Sequence, residues 1–444
     1  MPDIKLARHI IHQALSRGAT ASECYAVMSH STRIDVRHGE VDTFLRATDV
    51  GMGLRVLKGD RLGFAYTSEI YPGSLEEMVT KAIAAADGAA LDEFQRLPSP
   101  FPDYPEVQGG DTGLPGISIE EKIGRARALE ASARAYDRRV TKVRHATYSD
   151  VRHETLILNS LGLEAGFSGT HCAAVAYVVA EEGGEAQAGF EMDISRFYRA
   201  LLIEEVGRKA AEKAVRMLKA KGVDTCRAEV VLDPMVAAEL LGVLSGALGA
   251  DAVQKGKSLF AGKVGQAVAS SVATLIDDGF GKGVFPAPCD GEGVPSQRTV
   301  LLERGVLQGF LHNSYTAAKE GRASTGNARR RSYQIPPEVG PSNIYLEPGT
   351  IPREKLIAGV ERGLYVASAM GMHTANPVSG DFSVGVEGFW IQGGQLAFPV
   401  RGVTIAGNLM DLLQGMAAVA NDLRFYGRTG SPTLLVEGLT IGGR

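Results

Sequence analysis

Apolar residues recur at helical spacing from Ile4 to Ser16, and the pattern stops at Gly18, a natural C′ position. The period then drops to two. The segments ECYAVMSHS, RIDVRHG, VDTFLRATD, GMGLRVLKGD and RLGFAYTS alternate apolar and polar residues, and the Gly59-Asp60 pair supplies a turn, so a meander of antiparallel strands is predicted. Ser74 with Glu77 reads as a capping box opening a helix that runs to about Ala86. Five prolines and several glycines between Pro98 and Pro115 predict a surface linker. Ser118 with Glu121 opens a further helix, four strands follow over roughly Lys142 to Asp193, and the helical pattern ALLIEEVGRKAAEKAVRMLKA closes the half. These elements make an N-terminal α/β domain at residues 1–222 with antiparallel sheets and helices.

From Ala228 glycine becomes frequent, and short strand-like runs such as TVLLERG, SNIYLEPG, GFWIQGG and QLAFPVRGVTI predominate. Three helical stretches interrupt them: one opened by Pro234, REKLIAGVERGLYV, and GNLMDLLQGMAAVANDL. Residues 223–444 therefore form a second, mostly β domain, and the fold class is α+β.

With 444 residues and 44% apolar side chains, the chain is long enough for two sizeable cores. A net charge of −4 without a basic block argues against direct nucleic-acid binding. The densest basic run, NARRRSY (327–333), reads as a solvated loop or an internal ion-pair donor. No apolar run is long enough for a membrane helix, and the N-terminus lacks the apolar core of a signal peptide. Cys24, Cys172, Cys226 and Cys289 lie far apart with no CxxC pairing, which fits free thiols and a cytoplasmic location.

Candidate chemistry is sparse. His153-Glu154 is no zincin motif, because position 157 is Ile; a charged pair on a strand is the simpler reading. His171 and Cys172 adjoin on a strand and point to opposite faces, which suits a core cysteine and an exposed histidine. CDGEGVPSQR (289–298) gathers Asp290 and Glu292 in a glycine turn, and two carboxylates there suit either acid–base work or turn formation. GFGKG (279–283) is too short for a dinucleotide fingerprint. One helix is odd: LLGVLSGALGAD (240–251) holds Gly242, Gly246 and Gly249, each costing a helix interior about 0.5–1 kcal/mol relative to Ala.

Several ordered pieces of the chain resemble the TldD/TldE family, whose TldE branch is also called PmbA. They include GKSLFAGKVGQAVASSVATLIDDG (256–279), DGEGVPSQRTVLLERGVLQGFLHNSYTA (290–317), STGNARRRSY (324–333), SGDFSVGVEGFWIQGGQLAFPVRGVTIAGNL (379–409) and SPTLLVEGLTIGG (431–443). VDTFLRATDVGMGLRVLKGDRLGFAYTS in the first domain is similar to the family's N-terminal signature. The family was once described as modulators of DNA gyrase and is now viewed as metallopeptidases.

The resemblance gives the glycine-rich helix a meaning. TldD-type members carry HExxxH on a helix shortly before the SLFAGKVG segment, with a third zinc ligand, a Cys, near the C-terminus. Counting back from Phe260, the matching positions are Leu241, Gly242 and Gly246, and no Cys follows Asn421. The implied catalytic and metal sets of this chain are therefore empty, and no cofactor is expected in it; the glycines would let another backbone lie close. That pattern resembles TldE/PmbA, the metal-free subunit paired with a zinc-bearing, HExxxH-bearing TldD-like partner that cleaves flexible or unfolded peptides. The resemblance further implies a subunit cleft, with Asn313, Ser314 and Tyr315 and Ser379, Gly380 and Asp381 lining it. Two alternatives remain. One is an active homodimeric peptidase with an unrecognised metal site, drawn from Asp290, Glu292, His312 and His373. The other is an adaptor without enzymatic activity.

Overall fold

Two-residue alternation sets the architecture of the first domain. The structure is a computed structural model describing residues 2–443, the side chain of His373 excepted. Helix α1 (Ile4–Ser16) leads into β1 (Ala21–Arg37), β2 (Glu40–Lys58), β3 (Arg61–Thr67) and α2 (Pro72–Gly88). After a long loop come α3 (Ile119–Tyr136), β4 (Val140–Asn159), β5 (Glu164–Glu182), β6 (Glu185–Ser195) and α4 (Ile203–Arg216). The six strands form one antiparallel sheet in the order β3-β2-β1-β4-β5-β6.

Even-numbered residues of the central strands face the helices. Cys24, Ala26, Leu156 and Leu158 pack with α1 and α2, whereas Ile34, Val36, Ala146, Tyr148, Cys172 and Ala174 pack with α3 and α4. Their odd-numbered neighbours, among them Glu23, Tyr25, His153, Phe167 and His171, turn to the opposite face, where the second domain lies.

Several local expectations change. Five strand segments merge into three, because β1 and β2 continue through polar stretches paired residue by residue. Three strands rather than four cover residues 140–195. Helix α2 starts earlier than the Ser74–Glu77 box implies: Pro72 occupies its first turn, and the Ser74 hydroxyl donates to Glu69 at 3.0 Å. The proline-rich 98–115 stretch is a strap rather than a free linker. Its Leu114 is buried, the Gly109 carbonyl accepts from Thr170 N–H (3.2 Å), and Tyr104 donates to the Gly293 carbonyl (3.0 Å).

The second domain runs β7 (Cys226–Leu232), α5 (Pro234–Ala247), α6 (Ala250–Gln254), β8 (Leu275–Asp278), β9 (Arg298–Glu303), β10 (Val306–Leu307), α7 (Ser314–Lys319), β11 (Ala328–Arg329), β12 (Glu338–Val339) and β13 (Ile344–Leu346). It continues with α8 (Arg353–Ala358), β14 (Arg362–Met370), β15 (Asp381–Gln392), β16 (Gln395–Asn408), α9 (Leu409–Gln414), β17 (Met416–Val419), β18 (Arg424–Tyr426), β19 (Thr429–Ser431) and β20 (Leu434–Gly442). One sheet has the order β10-β9-β8-β13-β19-β18. The other, β16-β15-β14-β7-β20-β17, bends round so that β16 also pairs with β20. Helix α5 packs against strands of both sheets, inside the largest core of the protein. The helical stretches expected at 353–366 and 407–423 shrink to α8 and α9. Each stops at a glycine, Gly359 or Gly415, and the apolar residues beyond continue as β14 and β17. The class is α+β, as the alternating and helical patterns predict.

A buried ion network joins the domains. Glu23 and Arg55 are direct cross-strand partners on β1 and β2. Arg55 donates to Glu23 and to Glu292, each at 2.7 Å, while Arg330 donates to Glu23 and, through Nε, to the Gly291 carbonyl (2.8 Å). Two carboxylates and two guanidiniums balance. Burial opposes the charge on Arg55, yet Glu23 and Glu292 hold its guanidinium above the usual range, and Arg55 in turn helps hold Glu292 below the usual carboxylate range against burial.

Candidate functional site

Helix α5 starts where its sequence dictates. Asp233 caps it, accepting from Met235 N–H (3.1 Å) and from the Tyr365 hydroxyl (2.6 Å), and Pro234 follows at the first helical position. Val236, Ala237, Leu240, Leu241, Leu244 and Ala247 are buried, Leu241 being 5% exposed. Glu239, Gly242 and Gly246 lie on the opposite, exposed face. The expectation that another backbone lies close to these glycines does not hold. A Cβ on Gly242 would find its nearest neighbour, Thr429 Oγ1, at 3.8 Å, and one on Gly246 would meet nothing within 4 Å. The glycine face is open space, bordered by the β18–β19 hairpin and by the Met372–Thr374 segment, which both pack on α5.

The six proposed cleft residues fall into two unlike places. Asn313 caps α7 in a full capping box with Thr316, and Ser314 N–H donates to Glu292 (2.9 Å); both residues are buried. Tyr315 is half-buried, with Lys319 over its ring. Ser379, Gly380 and Asp381 form a turn entering β15, with Ser379 and Asp381 exposed and Gly380 buried. There Asp381 accepts from Ser379 Oγ (2.8 Å) and Asn408 Nδ2 (2.9 Å), and Gly380 has φ +82. Those two hydrogen bonds, Asn408's first, keep the Asp381 carboxyl below its usual range.

Asp290 and Glu292 are committed to structure. Asp290 accepts three backbone N–H groups, from Glu292 (2.8 Å), Val294 (3.0 Å) and Ala328 (2.9 Å), so the turn-forming reading is the right one. Glu292 is held by Arg55 and by Ser314 N–H. His312 is buried, with its Nε2 at 3.7 Å from Glu320. The fourth member of the alternative metal set, the His373 side chain, lies outside the described residues. Among the described residues no three His, Cys, Asp or Glu side chains gather as metal ligands.

Between the domains lies a cavity of about 320 Å³. Its first-domain wall is the outward face of β4 and β5, with His153, Phe167 and His171; its second-domain wall brings Phe285, Asp290, Arg329, Arg330 and Arg428. Register explains the histidines: His171 pairs with Val151 and His153 with Gly169 on adjacent antiparallel strands. Gly169 is required there, because a Cβ would sit 2.6 Å from His153 Cε1. His171 is therefore not exposed as expected but sits with its ring edge-on to Phe285, centroids 5.1 Å apart. Burial, then the neighbouring His153 and Arg428, lowers its pKa to about 4, and burial followed by Arg428 lowers that of His153. Both rings are thus neutral at neutral pH, and the positive character of the cavity comes from its arginines.

Three consecutive sequence models of family domains match the chain: PmbA/TldA metallopeptidase domain 1 at residues 22–86, the central domain at 113–218 and the C-terminal domain at 225–443. A metalloprotease of Methanothermobacter thermautotrophicus is 32% identical over 92% of this chain and 91% of its own length. The chain belongs to the PmbA/TldD metallopeptidase family. Metalloprotease PmbA of Escherichia coli O157:H7 is 28% identical over 99% of this chain and 97% of its own. The crystal structure of TldE from Thermococcus kodakarensis superposes with a TM-score of 0.92 at 26% identity, covering 99% of this chain and 100% of that one. No helix among the described residues is long and apolar enough to cross a membrane.

Leu241, Gly242 and Gly246 of α5 offer no nitrogen, oxygen or sulfur side-chain donor, so zinc does not fit the residues present at these three positions. His153, His171, Arg329 and Arg428 are among the polar residues that line the cavity, and no sequence pattern joins them. The signals existed as His153-Glu154, His171-Cys172 and the 327–333 basic run, scattered over the chain without a common spacing.

Proposed function

We propose that this chain is a TldE/PmbA-like, metal-free subunit of a two-component peptidase acting on flexible or unfolded peptides. The zinc and the hydrolytic step belong to a TldD-like subunit carrying HExxxH. The observation that carries the reading is α5 itself: the helix keeps its cap, length and core face, while the positions matching the zinc ligands hold a buried leucine and open glycines. A bare helix face bordered by the β18–β19 hairpin and the Met372–Thr374 segment leaves room for a partner's substrate without competing for its metal. The similarity to a protein named TldE over the whole chain supports the same assignment.

In this reading the chain completes the peptide cleft. The Ser379–Asp381 turn, exposed at both ends and tied to Asn408, is the part of the proposed lining best placed to meet a peptide. An extended peptide held through main-chain hydrogen bonds fits low sequence selectivity. Mixing this chain with an HExxxH-bearing relative is expected to give a heterodimer by light scattering, with chelator-sensitive cleavage of unfolded casein that this chain alone lacks. Asp381→Ala is expected to lower that cleavage without changing the zinc content of the mixture. Monomers only at micromolar concentrations, with no gain of cleavage, would remove the two-component reading.

A further inference from the structure

Arg329 and Arg428 set the interdomain cavity apart from an ordinary gap between domains. Both line it, and neither has a carboxylate oxygen within 4 Å among the described residues. Arg428 donates to the Ser342 carbonyl (2.9 Å) and lies over the Phe285 ring, 4.5 Å from its centroid; among the described residues the Arg329 side chain meets no hydrogen-bond acceptor. Their neighbour Arg330, by contrast, is neutralised by Glu23. Asp277 and Asp290 are near enough to act electrostatically on Arg329, but Asp290 is held by three backbone N–H groups and Asp277 by Asn327 (2.6 Å) and Ser342 N–H (2.8 Å). Burial disfavours the charged form of both guanidiniums, and Arg329 adds to that effect on Arg428. Unpaired charges in such a place are costly, and they are retained where a ligand supplies the counter-charge.

The remaining walls narrow the ligand. Val151, Phe167, Val284 and Phe285 are apolar, and His171 Nδ1 is buried without a partner. The volume sits at the lower end of the roughly 300–1,000 Å³ found for small-molecule sites. A bare inorganic anion would leave the apolar walls empty. A planar oxyanion attached to an apolar group would use both, with guanidinium forks matched to a carboxylate.

We propose that the interdomain cavity binds the free C-terminal carboxylate of a peptide between Arg329 and Arg428, with the terminal side chain against Phe167 and Phe285. The proposal rests on the peptide-handling reading above and deepens it. It makes this subunit the one that recognises a chain end, and it applies to the protein alone, without zinc or partner.

The test is calorimetric titration of the purified chain with N-acetyl-Gly-Phe as free acid, with its C-terminal amide, and with inorganic phosphate. The acid is expected to bind at least about ten-fold more tightly than the amide, the equilibrium factor of one charge-assisted hydrogen bond. Arg329→Gln is expected to abolish that difference with an unchanged or raised melting temperature, since it removes an unpaired charge. Arg428 is the poorer choice for substitution, because its loss also frees the Ser342 carbonyl and uncovers Phe285. Equal binding of acid and amide, or binding of neither, overturns the proposal, and phosphate binding tighter than the acid overturns it in favour of a phosphate site. A failed subunit-mixing experiment with acid-selective binding intact would count against the two-component reading alone. Successful mixing without acid selectivity would count against the carboxylate site alone.

Discussion

Arg55→Leu is expected to destabilise the protein by about 3–5 kcal/mol, the usual cost of removing one partner from a buried ion pair. Arg55 is buried between Glu23 and Glu292, and among the described residues it is the only guanidinium hydrogen-bonded to both. Without it Glu23 keeps Arg330, but Glu292 keeps its hydrogen bonding to Ser314 and, among the described residues, becomes a buried carboxylate with no cation in contact. The pH dependence has a defined sign. In the native protein Glu292 is held below its usual range, so its contribution to stability is present above the unfolded pKa and fades as pH falls. In the variant the same carboxyl has lost that cation, and protonation relieves its burial cost. The stability gap between the two proteins should therefore narrow on acidification from neutral pH. Chemical denaturation at two pH values measures it. A loss under about 1 kcal/mol, typical of an exposed pair, would mean that the network does not clamp the domains.

Writing HExxxH into α5 by Leu241→His, Gly242→Glu and Gly246→His is expected to produce an unstable protein without efficient peptidase activity. The three changes act differently. Gly242 and Gly246 lie on the open face of α5, where added side chains meet no backbone. Gly242→Glu and Gly246→His alone should each be neutral or stabilising, by up to about 0.5–1 kcal/mol through helix propensity. Leu241 packs in the core shared by both C-terminal sheets, so Leu241→His carries nearly all the loss, about 2–5 kcal/mol, the range for emptying a buried leucine site, with the buried imidazole adding to it. Activity fails for a separate reason: a catalytic zinc site keeps three protein ligands oriented by outer hydrogen bonds, and no cysteine follows Asn421 to complete the set. Thermal melts of the single variants, with chelator-sensitive turnover of the triple variant, check both halves. Robust turnover would show that a further ligand had been overlooked.

Periodicity carried the elements well wherever one face of a strand or helix meets a core. The alternation through β4 and β5 correctly separates Cys172 from His171. It does not say that a second domain covers the other face, which is why His171 reads as exposed when it lines a cavity. The polar run around Thr32 reads as a strand break because its neighbours across the sheet are invisible in one dimension, and pairing with β2 and β4 carries β1 straight through. Helix ends suffered in the same way: apolar residues after Gly359 and Gly415 fit a helix or a strand equally well until a sheet claims them. The site was the least legible. Glu23 and Arg330 are 307 positions apart, and the charge balance that leaves Arg329 and Arg428 unpaired depends on which acids the fold spends elsewhere.

The central claim is that the metal of this system is not held by this chain, and elemental analysis of the purified protein tests it most directly. After dialysis against zinc-containing and then zinc-free buffer, the zinc content is expected to stay well below one ion per chain, while a zinc-binding, HExxxH-bearing relative treated alongside retains its metal. One firmly held zinc per chain, removed by a chelator together with peptidase activity, would contradict the account.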